Sequence, residues 1–143
     1  MTQTKPRIGR LFKQINETIE RRANNDMRPQ GVTMSQTHVL MELNACAPQP
    51  LGFKQLEASM GVAQSTIWGL ISRLEAKGLV EVLISSSDAR VKLARITAAG
   101  EQVCQSCIEN INKCEQQLIS NLSEEEVTQL AALLERVYQS IAE

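Results

Sequence analysis

Apolar residues recur at intervals of three and four along most of the chain, which is the spacing that puts them on one side of a helix. Ile8, Leu11, Phe12, Ile15 and Ile19 predict a helix from about Pro6 to Asn25, with Pro6 near the first turn, where proline is tolerated. The stretch Asn24 to Gly31 is rich in breakers and predicts a loop. Thr33 and Gln36 have the spacing of a capping box, so a second helix starts there. It runs to about Ala45 with Val39, Leu40 and Leu43 inward, and Pro48 and Pro50 end it. A short third helix, Phe53 to Met60, turns Phe53, Leu56 and Met60 inward and closes at Gly61. A fourth spans about Gln64 to Lys77, with Ile67, Leu70, Ile71 and Leu74 inward and Gly78 as its stop.

The period then changes. Val80 to Ile84 is β-branched and apolar, Ser85 to Asp88 is a turn, and Val91 to Ile96 returns, so the segment predicts a β-hairpin. Thr97 is placed to cap a long helix to about Ser120. Ser123 and Glu126 form another capping box, opening a last helix with Val127, Leu130, Leu134, Val137 and Ile141 at heptad-like spacing. The predicted fold is mainly α with a small β-hairpin wing: a winged helix-turn-helix at residues 33–97, flanked by helices at 1–32 and 98–143 for dimerisation. The flanking helices carry long apolar stripes that one chain cannot easily bury, and a two-fold copy covers them.

Composition sets the class. With 43% hydrophobic and 22% charged residues in 143, the chain is an ordinary globular one of a size for one domain. It has no run long enough for a membrane span and no secretory signal, so the expected compartment is the cytoplasm. The net charge of -1 conceals segregation. Residues 1–50 carry seven Lys or Arg against four Asp or Glu, residues 51–95 six against four, and residues 96–143 two against eight. One surface can therefore attract phosphate while another repels it.

Two short helices joined by a tight glycine-containing turn and followed by a hairpin place the second helix of the pair in a DNA major groove. On that helix Ser65, Gly69, Ser72 and Ala76 lie opposite the apolar side. A face without bulk lets the backbone approach base edges, and hydroxyls bond to bases or phosphates. Gln64, Ser65 and Thr66 occupy the first turn, where free N–H groups favour a phosphate. Arg73 and Trp68 stand on the two flanks. The expected DNA-binding set is Gln64, Ser65, Thr66, Trp68, Gly69, Ser72, Arg73, Asp88, Arg90 and Lys92, and the partner is double-stranded DNA. From Arg73, Lys77, Arg90, Lys92 and Lys54, roughly four to eight phosphate contacts per dimer are expected, each contributing close to -0.9 to the salt slope.

Several spaced motifs resemble those of the MarR (multiple antibiotic resistance regulator) family. Asp88-Ala89-Arg90 followed by Ile96-Thr97-Ala98-Ala99-Gly100 resembles its D-x-R … L-T-x-x-G signature. Leu74 to Val80 resembles L-E-x-K-G-L-V, and Thr33 to Leu43 resembles T-x-x-Q-x-x-V-L-x-x-L. The resemblance implies a homodimer on a pseudo-palindromic operator, most often a repressor. It implies that Arg90 reaches a minor groove from the wing and that Asp88 holds the wing arrangement. A narrow minor groove concentrates negative potential and so selects a guanidinium. It further implies a small anionic aromatic effector bound between the dimer helices and the winged unit. His38, with Arg21 or Arg22, is the candidate for lining that crevice. Three positions depart from the family pattern: Ala89 stands where a second basic residue is common, Val82 to Ile84 where arginines are, and Trp68 where smaller polar residues are.

Cys104, Cys107 and Cys114 lie on one helical stripe with Ile111 and Leu118. Core or interface packing is one reading. A thiol-based redox-sensing regulator is another, since some members of the family sense oxidants by cysteine. A sensing thiol needs exposure and a lowered pKa, and the acidic neighbours Glu101, Glu109 and Glu115 work against that. A lone C-x-x-C with one histidine in the chain gives no zinc site, so no metal and no cofactor is expected. No nucleophile motif, phosphate loop or acid–base pair points to an enzyme. A winged-helix protein-interaction module without DNA binding is the reading from another class.

Overall fold

The computed structural model describes residues 5–142. The element order is α1 (Ile8–Met27), a 3-10 turn (Arg28–Gln30), α2 (Met34–Cys46), β1 (Leu51–Gly52), α3 (Phe53–Met60), α4 (Gln64–Ala76), β2 (Val80–Ile84), β3 (Lys92–Ile96), α5 (Ala98–Leu118) and α6 (Glu124–Ile141). The chain divides into two compact units, residues 1–110 and residues 111–143, with the division inside α5.

In the first unit the core is built where the apolar spacing placed it. Val39, Leu40 and Leu43 of α2, Leu56 of α3, and Ile67, Ile71 and Leu74 of α4 are fully buried, and Ala94 of β3 closes over them. Burial of this order contributes about 1.5–3 kcal/mol for each large aliphatic side chain. α2 begins with the expected capping box. Thr33 Oγ1 accepts from the Gln36 N–H at 3.2 Å, and Gln36 Oε1 accepts from the Thr33 N–H at 3.3 Å. α3 opens with Gln55 Oε1 accepting from the Gly52 N–H at 2.8 Å, and closes at Gly61, whose φ of 64° is open to glycine at little cost. The next helix starts only three residues later, and this tight junction makes the helix-turn-helix.

The expected hairpin of β2 and β3 is present, and a third short strand joins it. The order is β1-β3-β2, all antiparallel. β1 is only Leu51 and Gly52, paired with Ala94 and Leu93, and a two-residue strand leaves no periodic signal in a sequence. β2 pairs with β3 from Val80 opposite Ile96 to Ile84 opposite Lys92. Glu81 and Arg95 face each other in this register and form an ion pair at 2.8 Å. Thr97 Oγ1 accepts from the Gly100 N–H at 3.1 Å and donates to the Gly78 carbonyl at 2.7 Å, so it caps α5 and ties it to the turn after α4.

α1 differs from expectation at both ends. It starts at Ile8, and it continues through Asn24, Asn25 and Asp26 to Met27, where a loop was expected. Met27 is fully buried, and this packing outweighs the weak helix propensity of Asn and Asp before it. Ile8, Leu11, Phe12 and Ile15 are exposed. In the second unit, Ser123 Oγ accepts from the Glu126 N–H at 3.2 Å and Glu126 Oε1 accepts from the Ser123 N–H at 3.0 Å, as the capping box requires. α6 then exposes Leu130, Leu134, Val137 and Ile141.

Candidate nucleic-acid interface

α4 is fixed from one side only. Ile67, Leu70, Ile71 and Leu74 enter the core, none more than 6% exposed. Gln64, Ser65, Thr66, Ser72, Arg73 and Ala76 are exposed, and Gly69 lies half-buried among them. Among the described residues a Cβ added at Gly69 meets no atom within 4 Å, so their packing does not require glycine there. The face is a shallow strip of small and hydroxylated side chains, flanked by cations.

The wing presents Arg90 at its tip, with 91% of its side chain exposed. Asp88 holds it. Asp88 Oδ1 accepts from the Arg90 backbone N–H at 3.0 Å and from Nε at 3.2 Å, while Oδ2 is 3.5 Å from a terminal nitrogen. The backbone bond first, then the guanidinium, hold the Asp88 carboxyl below the usual carboxylate range. The wing loop is closed by the Val91 N–H donating to the Asp88 carbonyl at 3.0 Å and by the Ser85 N–H donating to the Val91 carbonyl at 2.9 Å. The partner of Asp88 is thus its near neighbour Arg90, so the D-x-R spacing forms a local clamp.

Trp68 and Lys92, singled out separately in the sequence, are in contact. The Lys92 Nζ lies 4.2 Å from the centre of the Trp68 ring, and Phe53 meets that ring edge-on at 5.3 Å and 78°. Lys54, Trp68, Arg90 and Lys92 line one cleft of about 290 Å³. Neither the Phe53–Trp68 contact nor the Trp68–Lys92 contact had a signal in the sequence, because they join three elements distant along the chain.

Lys77, counted among the expected phosphate contacts, has partners within the first unit. Its ammonium donates to the Gly31 carbonyl and to Gln36 Oε1, tying the C-terminus of α4 to the start of α2. Arg95 is paired with Glu81 across the hairpin.

His38 is exposed on α2 and opens on a cleft of about 420 Å³ with Glu20, Asn24, Thr33 and Arg73. Arg21 and Arg22 do not line it; the arginine there comes from α4. Cys104 and Cys107 are fully buried, and Cys114 is half-buried. Burial pushes both buried thiols up; the neighbouring Cys107 adds to the effect at Cys104, and a hydrogen bond with Thr37 partly offsets it at Cys107. The cause is desolvation, not the acidic neighbours, since Glu101, Glu109 and Glu115 point to solvent. A buried thiol with a raised pKa lacks what a sensing thiolate needs. Among the described residues no helix is long and apolar enough to cross a membrane.

The MarR family model matches residues 32–92, which is the helix-turn-helix and most of the wing. The multiple antibiotic resistance protein MarR of Escherichia coli K12 is 30% identical over 132 residues, covering 91% of this chain and 90% of that protein. The Staphylococcus aureus MepR–DNA complex superposes with a TM-score of 0.86 at 26% identity, covering 96% of this chain and 100% of that one. A mutant Escherichia coli MarR complexed with operator DNA gives a TM-score of 0.79 at 29% identity, with 91% and 92% covered. Fold, motif order and similarity along nearly the whole length agree, and the chain belongs to the MarR family of winged-helix transcription regulators.

Proposed function

We propose that the protein is a homodimeric regulator that binds a pseudo-palindromic operator through α4 and the wing, and that a small anionic aromatic effector releases it. Residues 33–97 form the DNA-binding unit, and residues 1–32 and 98–143 the dimerisation region. One observation carries the reading: α4 keeps its apolar side in the core and turns outward a strip that stays open among the described residues. Gln64, Ser65, Thr66, Gly69 and Ser72 enter the major groove, with Trp68 at the edge of that face. Arg73 and Lys92 stand at its borders to meet phosphate, and Arg90, steadied by Asp88, reaches the minor groove. The likeness to MepR in a DNA complex and to a mutant MarR complexed with operator DNA supports double-stranded DNA as the partner.

A second copy covers the apolar faces that α1 and α6 each expose, and sets two recognition helices about one DNA turn apart. The cleft at His38 supports the effector reading. It contains Arg73 of α4, so an anion bound there competes with phosphate for the same guanidinium.

The test is fluorescence anisotropy with a duplex from the region upstream of the chain's own coding sequence. Arg90→Ala is expected to weaken binding about tenfold, near 1.4 kcal/mol, and to make the salt dependence shallower by about one contact per arm. Undiminished affinity of this variant overturns the assignment of the wing.

A further inference from the structure

Lys92 begins β3, two residues from Arg90, and the support of the wing changes there. β1 pairs with β3 only at Ala94 and Leu93, so its backbone support stops one residue short of Lys92. Beyond that point β3 is paired with β2 alone, at Ile84 opposite Lys92. The side-chain contact that carries support from the body of the protein out to this residue is the Trp68 ring, with the Lys92 ammonium 4.2 Å from its centre. Trp68 is itself braced by Phe53, the first residue of α3 and the neighbour of β1.

The charges give this contact a purpose. Lys54, Arg90 and Lys92 line one cleft with Trp68 and Glu57, so cations outnumber the carboxylate there even with Arg90 paired to Asp88, and the excess positive charge repels. The negative face of an indole offsets part of that repulsion, and Trp offers the largest such face. The contact does not use up the three N–H donors of the ammonium, so Lys92 can still meet a phosphate.

We propose that Trp68 is a positioning residue: by holding Lys92 it fixes the root of the wing against the recognition helix, and so sets the distance between the strip on α4 and Arg90. This role goes beyond facing the groove, and it rests on the DNA-binding reading. A ring that touches only DNA acts independently of Arg90, whereas a ring that places the wing acts through it.

Two measurements decide it. Trp68 is the only tryptophan of the chain, so protein emission excited at its absorption edge reports on this ring alone. Lys92→Ala is expected to uncover the indole and move its emission to longer wavelength, and Lys92→Arg to restore it. Unchanged emission in Lys92→Ala overturns the proposal, whether or not the protein binds the duplex. The second measurement is a cycle of operator affinities on the upstream duplex. Arg90→Ala costs about tenfold in the native background and in Trp68→Phe, which keeps an aromatic face, and under about threefold in Trp68→Leu. An equal cost in all three backgrounds overturns the proposal while leaving the DNA-binding reading intact. Failure of the native protein to bind the duplex overturns that reading and this role with it, and the emission result still decides whether ring and ammonium are joined.

Discussion

Gly100→Ala is expected to destabilise the protein by about 3 kcal/mol, lowering the melting temperature by roughly 10 °C. Gly100 is buried in the first turn of α5, against the segment that joins α4 to β2. An added Cβ falls 2.1 Å from the Leu79 carbonyl oxygen and 2.8 Å from Ile96 Cγ1. The oxygen cannot retreat, because it accepts from the Thr97 N–H at 3.1 Å. Nor can Gly100 retreat, since its own N–H donates to Thr97 Oγ1. Relief therefore requires moving the start of α5 away from the wing root, and that movement breaks the two bonds through which Thr97 joins them. Thermal denaturation followed by circular dichroism measures the loss. A melting temperature within about 2 °C of the native protein's contradicts the account of this junction.

Gly69→Leu is expected to do the opposite to stability and the larger damage to function. Glycine inside a helix costs about 1 kcal/mol relative to a good helix former. Among the described residues nothing within 4 Å opposes an added Cβ at Gly69, so the backbone gain of replacing glycine is kept there. On the proposed docking the same side chain stands between the α4 backbone and the base edges. Operator affinity falls about a hundredfold, near 2.7 kcal/mol. The pair of measurements, melting temperature and anisotropy, separates a functional glycine from a structural one. A variant that is more stable and binds as tightly as the native protein removes Gly69 from the interface.

Most of the fold was legible in the sequence because it rests on local rules. The capping boxes at Thr33 and Ser123, the stop at Gly61 and the four buried residues of α4 each follow from spacings within a few residues. What was not legible depended on distant partners. The weak helix formers Asn24 to Asp26 read as a loop because nothing local shows that Met27 is buried beyond them. β1 is too short to alternate. Lys77 counts as a phosphate contact in the sequence, where nothing local shows that its ammonium is engaged at the start of α2.

The interface divides in the same way. The D-x-R spacing was visible, and its geometry proved local: Asp88 grips the residue two places on. The helical spacing puts Arg73 on a flank of α4, but its position beside His38 depends on how α1, α2 and α4 pack. The Glu81–Arg95 pair is a case where a signal was present and unused. Opposite charges directly across a hairpin are expected to pair once the register is fixed from Val80 and Ile96.

On the proposed docking the strip formed by Ser65, Gly69 and Ser72 lies in a major groove, twice, in a two-fold complex. Methylation interference on the upstream duplex tests it most directly, because guanine N7 is exposed in the major groove. The account predicts two clusters of interfering guanines centred about 10 base pairs, or one helical turn, apart. Binding that is indifferent to N7 methylation at every guanine of the duplex contradicts it.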